Sequence, residues 1–113
     1  MQKLQIDIQE QNQVMLVRLH GALDTETADS FDQALSSLIQ QGKQAFLIDL
    51  QGVDYISSAG IGVLVGCLNQ IQDQGGHLKL AHVQSRVARA LSMLSLLDLF
   101  EVFDAIPDAL ASF

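Results

Sequence analysis

The chain has 113 residues, 49% of them hydrophobic and 17% charged, a length and balance that fit one compact domain and exclude a disordered segment. Six Lys or Arg against thirteen Asp or Glu leave a formal charge of −7, so the surface repels phosphate backbones and nucleic acid is excluded as a partner. The single cysteine, Cys67, lies in an apolar run; it can form no internal disulfide and fits a reducing compartment.

The N-terminal MQKLQIDIQE alternates polar and apolar residues, and the longest apolar run, Ile61 to Leu68, is too short to span a bilayer. A cytoplasmic protein without membrane insertion is expected. Leu4, Ile6 and Ile8 have the period of a half-buried strand, and Val14 to Leu19 forms a second strand after the polar stretch Gln9 to Gln13. The two make a β-hairpin. Gly21 closes the second strand, and Asp24 is a candidate N-cap because its carboxylate can accept from the free amides of a first turn.

Ala28, Phe31, Leu35, Leu38 and Ile39 recur at helical spacing and Gly42 suits the stop. Ala45 to Leu50 is apolar except for Asp49, which predicts a central strand covered on both faces. The segment QGVDYISSAGIG, Gln51 to Gly62, leads into Ile61, Leu64, Val65, Leu68 and Ile71 at helical spacing, ended by Gly75 and Gly76. Leu78 and Leu80 flank Lys79 in a further strand. Val87, Ala90, Leu91 and Leu94 mark a third helix with Ser85 as a candidate cap. Phe100, Val102 and Phe103 predict a last short strand, and Pro107 suits the first turn of a terminal helix.

The resulting order, ββαβαβαβα, predicts one α/β domain over residues 1–113: a mostly parallel sheet opened by a hairpin, with right-handed crossovers. No internal repeat or linker divides it, so function must come from local sites.

Gly60, Gly62 and Gly66 read G-x-G-x-x-x-G between a strand and a helix, the position of a dinucleotide-binding turn. That reading also needs an acidic residue some twenty positions on to hold a ribose, where this chain has Ala81 and His82. Packing is the simpler account: Gly62 and Gly66 stack on one helix face beside Ala59, leaving a bare surface that a strand or another protein can approach closely. Ser57 and Ser58 stand where an ordinary N-cap belongs. No G-x-S-x-G elbow is present, and His20, His77 and His82 are read as strand-end surface residues, so no catalytic residue is assigned. Those histidines have no cysteine or carboxylate at ligand spacing, and Asp24, Asp49 and Asp54 are explained by turns and caps; no metal or other cofactor is expected.

The run LIDLQGVDYISSAGIGVLVG, Leu47 to Gly66, closely resembles the central signature of STAS domains. His20 to Ala28, HGALDTETA, resembles the family's segment before its first helix, and Gly75 to Leu110 follows the family's order of elements. Members of this length resemble anti-sigma factor antagonists of the SpoIIAA and RsbV type. The resemblance implies a non-enzymatic switch: the antagonist binds an anti-sigma factor that is also a serine kinase, frees a sigma factor, and is switched off by phosphorylation and restored by a serine phosphatase.

By position the phosphoserine falls on Ser58, with Ser57 as the alternative. Asp24, Ser57, Ser58, Ala59, Gly60, Gly62 and Gly66 form the implied partner-binding set. Many switch members carry an aspartate before the phosphoserine and a serine or threonine after it, where this chain has Ser57 and Ala59. The other reading the resemblance allows is a scaffold subunit of a signalling or lipid-transport assembly, without a phospho-switch.

Overall fold

The computed structural model describes residues 3–113. Strands β1 (Gln5–Gln11) and β2 (Val14–His20) pair antiparallel. They join through Asn12 and Gln13, both at positive φ (52° and 68°), the two-residue turn whose twist matches that of the strands it connects. The first strand therefore runs on into the polar stretch between the two apolar patterns, through Gln11. Those side chains lie on an exposed edge strand, where water and not a core sets the residue choice.

Strand β3 (Ala45–Gly52) pairs parallel with β2 on one side and β4 (His77–Ala81) on the other. A two-residue β5 (Val102–Phe103) completes the order β1-β2-β3-β4-β5. β3 is central, as its continuous apolar run predicts. Every crossover steps one strand in the same direction, so right-handed connections stack their helices on one face.

Helices α1 (Ala28–Gln40), α2 (Ser58–Asp73) and α3 (Ser85–Met93) occupy that face. Phe31 and Leu35 of α1, Leu64, Leu68 and Ile71 of α2, and Val87 and Leu91 of α3 share one core with Val17, Phe46, Ile48 and Leu80 from the strands. The terminal helix α4 (Ile106–Ala111) covers part of the other face, where Ala109 closes a small cluster of Val14, Leu16, Leu47 and Ala81. Pro107 stands in its first turn, as expected. Lys79 holds this end: its buried Nζ donates to the carbonyl and Oγ of Ser112, both at 2.9 Å, and lies 3.1 Å from Glu101.

Two expectations need correction. Ser85 does not cap α3; it is the first helical residue, preceded by Gln84, which makes no side-chain cap bond. Leu94 is exposed beyond the helix end, because the chain turns at Ser95 (φ 58°) and Leu96 and Leu97 pack on the core in its place. Leu97–Leu99 forms a 3₁₀ turn that the sequence pattern did not reveal.

Candidate functional site

Strands β2 and β3 are parallel neighbours, so the loops leaving their C-terminal ends emerge side by side. Three backbone bonds join them: Gly21 N donates to Gly52 O (3.0 Å), Leu23 N to Tyr55 O (3.0 Å), and Ser57 N to Leu23 O (2.9 Å). Gly21 reaches this pairing at φ 113°, a conformation that side chains other than glycine's rarely adopt. Leu23 and Ile56 form a parallel bridge, and both are buried.

Asp24 follows Leu23 directly and is thereby held beside the start of α2. Its Oδ1 accepts from Glu26 N and Thr27 N, both at 3.0 Å, while Thr27 Oγ1 accepts from Asp24 N at 2.9 Å. This reciprocal pair is a capping box with threonine in the return position. The predicted cap is real, but it closes the turn from Thr25 to Thr27 that precedes α1, and Thr27 is the residue adjoining the helix.

The two serines divide their roles. Ser57 is the N-cap of α2, extended at φ −92° and ψ 172°, and its Oγ accepts from Gly60 N at 3.2 Å. Ser58 is the first helical residue and is exposed; among the described residues its hydroxyl makes no hydrogen bond. The first helical bond, Ile61 N to Ser57 O at 2.9 Å, leaves the amides of Ser58 and Ala59 ahead of the ladder. No acidic residue stands in the first turn of α2, so the positive end of its dipole is not offset by a side chain there.

The glycines also separate. Gly60 is buried, and a Cβ on it would lie 2.7 Å from Leu23 O and 2.8 Å from Leu23 Cγ. Its lack of a side chain lets the two loops close, so this member of the implied partner-binding set is inside the fold. Gly62 and Gly66 are exposed, and a Cβ on either would meet nothing within 4 Å. Between α1 and α2 they open a shallow groove of about 350 Å³, lined by Asp32, Ala59, Gly62, Val63, Gly66 and Gln70.

Cys67, at the base of that groove, is buried, with Sγ 3.9 Å from Asp32 Oδ1. Burial, then the Asp32 charge, then the hydrogen bond to Asp32 push its pKa up to about 11. Its thiol therefore stays protonated at neutral pH and is a poor nucleophile. Tyr55, 49% exposed on the loop before Ser57, was not singled out by sequence; a lone tyrosine between turn residues carries no periodic signal.

Other polar residues lie elsewhere. His20 and His77 are exposed strand-end residues. His82 is not simply a surface residue: it sits at φ 55°, and its Nδ1 is 2.9 Å from Asp49 Oδ1. Asp49 is buried within β3, not in a turn, so the expectation that turn solvation or capping explains it fails. The even progression of strands also lacks the reversal of order at which doubly wound sheets hold dinucleotides. Among the described residues, no helix is long and apolar enough to cross a membrane.

Comparison with known proteins agrees with this geometry. The STAS domain model matches residues 5–109. The anti-sigma F factor antagonist of Paenibacillus polymyxa is 30% identical over 102 residues, covering 89% of this chain and 87% of that protein. Among solved structures, a putative anti-sigma factor antagonist from Thermotoga maritima superposes with a TM-score of 0.90 at 24% identity, covering 95% of this chain and 92% of that one. The phosphorylated form of the Bacillus cell-fate determinant SpoIIAA gives a TM-score of 0.76 at 16% identity, covering 96% and 97%. The match over nearly all of β1 to α4 settles the classification: the chain belongs to the STAS domain family.

Proposed function

We propose that this chain is a cytoplasmic anti-sigma factor antagonist: unphosphorylated, it binds an anti-sigma factor serine kinase and frees a sigma factor. Phosphorylation of Ser58 ends that binding, and a serine phosphatase restores it. The observation that carries the reading is the position of Ser58, exposed and unbonded at the N-terminus of α2, beside the open Gly62 and Gly66 face. Its homology to an antagonist at 30% identity supports the choice of partner.

The geometry favours Ser58 over Ser57. In the transfer, Ser58 Oγ attacks the γ-phosphorus of kinase-bound ATP; the Oγ–P bond forms, the β–γ bridging P–O bond breaks, ADP leaves, and the hydroxyl proton passes to a base of the kinase. Ser57 Oγ is engaged as the cap of Gly60 N, and modifying it would compete with a bond worth about 1 kcal/mol.

The phosphate on Ser58 would add about −2 of charge near free amides and the positive dipole end, so the fold tolerates it. A partner seated on Ala59, Gly62 and Gly66 would have to desolvate or repel that same charge, and binding fails. Asp24 and Ser57, held beside Ser58 by the zipped loops, complete the recognition surface.

The test uses the cognate anti-sigma kinase, ATP, intact-mass measurement and binding titration. Ser58→Ala is expected to gain no phosphate and to bind like the unmodified parent. Ser58→Asp is expected to bind at least tenfold more weakly, because one buried negative charge at an interface costs several kcal/mol, with a melting temperature close to the parent's. Full phosphorylation of Ser58→Ala would move the site to Ser57. Parental binding by both variants would replace the switch with the scaffold reading.

A further inference from the structure

The sheet face that carries α4 is only partly covered. Past the Ala109 cluster, toward the C-terminal ends of β2, β3 and β4, a cleft of about 250 Å³ remains, lined by Arg18, His20, Asp49, Gln51, Gly52 and His82. Asp49 is buried at its base. Its Oδ1 accepts from Gln51 N at 3.0 Å and contacts His82 Nδ1 at 2.9 Å, and its Oδ2 lies 3.6 Å from Arg18 Nε.

Arg18 is not satisfied by that contact. Its Nε is out of contact with water and has no hydrogen-bond partner, and among the described residues the guanidinium donates to no acceptor. An unmet donor on a charged group is costly. Arg18 lines the cleft with its side chain 41% exposed. Its two terminal nitrogens, with no hydrogen-bond acceptor among the described residues, present a planar edge that matches a carboxylate or phosphate.

Two histidines and Asp49 complete the lining around Arg18. His82 donates Nδ1–H to Asp49, so its Nε2 accepts in the neutral ring and donates to an oxyanion only in the imidazolium form. His20 stands against Gly52, where a Cβ would overlap its ring and its own strand's backbone, so the absence of a side chain makes room for the imidazole. Asp49 offsets part of the Arg18 charge from below, and its Oδ1 is already engaged by Gln51 N and His82 Nδ1, which disfavours a cation there.

We propose that this cleft binds a small oxyanion, the phosphate or carboxylate group of a small molecule, with Arg18 as its principal ligand and His20 and His82 at its sides. The cleft is smaller than pockets that enclose drug-sized ligands, and it lies on the sheet face opposite α2, so its occupant is distinct from a phosphate on Ser58.

The test is amide NMR of the full chain, titrated with inorganic phosphate, with acetate, and with sodium chloride at matched ionic strength. Saturable shifts confined to Arg18, Gln51, Gly52 and His82 are expected in phosphate, in acetate, or in both. Phosphate alone assigns a tetrahedral group, acetate alone a carboxylate, and both assign the shared oxyanion chemistry. Arg18→Gln is expected to weaken binding roughly tenfold or more, the loss of a charge-assisted bidentate contact, and Arg18→Lys by less, since it keeps the charge without the fork. His20→Ala, an exposed residue outside the Asp49 contacts, serves where Arg18→Gln melts early, with about a threefold loss expected for one hydrogen bond. Shifts that only follow ionic strength, shifts centred on Ser58 and Ala59, or parental affinity in both Arg18→Gln and His20→Ala would overturn the proposal.

Discussion

The two sides of α2 are built on opposite terms. Inward, Gly60, Ile61, Leu64, Cys67, Leu68 and Ile71 are buried, and even the glycine there is fixed by a neighbour's carbonyl. Outward, Ser58 is exposed, and a Cβ on Gly62 or Gly66 would meet nothing within 4 Å. Helix propensity cannot explain the outer glycines, since each costs up to about 1 kcal/mol relative to alanine. One face is set by the fold, and the other is left open at the fold's expense.

The sharpest way to break this contrast is to charge the inward side. Leu64 is fully buried between α2 and the sheet, and Leu64→Asp would place an unpaired carboxylate there. Its cost of several kcal/mol approaches the whole stability of a small domain. We expect no cooperative thermal melt and loss of the native circular dichroism signal. A parental melt would mean that α2 packs on the sheet through other residues.

Cys67 sits at the boundary, buried but facing Asp32 across the groove, and it tests the contrast through pH. Its pKa is raised from 9.0 to about 11 in the fold, so between those values the native chain holds a proton that the unfolded chain has released. Stability from this group is therefore complete below pH 9 and declines as pH rises toward 11. A loss on the order of 1–3 kcal/mol is expected across that window, and Cys67→Ser should flatten it. Denaturant titrations at stepped pH measure both. An equal decline in the variant would assign the alkaline loss to other groups.

How much of this was legible beforehand depended on whether a residue's role was local. The central strand, the α2 stripe and the Leu47 to Gly66 signature could be read because burial and turn chemistry leave periodic or positional marks. Asp24 was recognised as a cap, although the turn it closes lies ahead of the helix. Gly60 and Gly62 were indistinguishable in sequence, since only the Leu23 to Ile56 bridge, a contact between distant segments, makes one obligatory. Asp49 gave a signal that turn solvation did not capture: one carboxylate inside an apolar strand. Its partners Arg18 and His82 are brought beside it only by strand register.

The smallest expected effect is the most discriminating, because it separates two glycines only two residues apart in one helix. Gly60→Ala gains helix propensity but drives a methyl against Leu23 O, a backbone atom with no rotamer to yield, and overpacking of this kind costs about 1–3 kcal/mol. Gly62→Ala meets open space, so the propensity term acts alone and the variant should be about 0.5–1 kcal/mol more stable than the parent. If the outer face is a docking surface, that gain should coincide with weaker binding to the anti-sigma kinase, since a methyl group now stands where the partner must approach. Chemical denaturation and binding titrations on the same two variants give the four numbers needed. A more stable Gly62→Ala that binds like the parent would mean that no partner comes close to this turn of α2, and the recognition surface would contract to Ser58 and the zipped loops around Asp24.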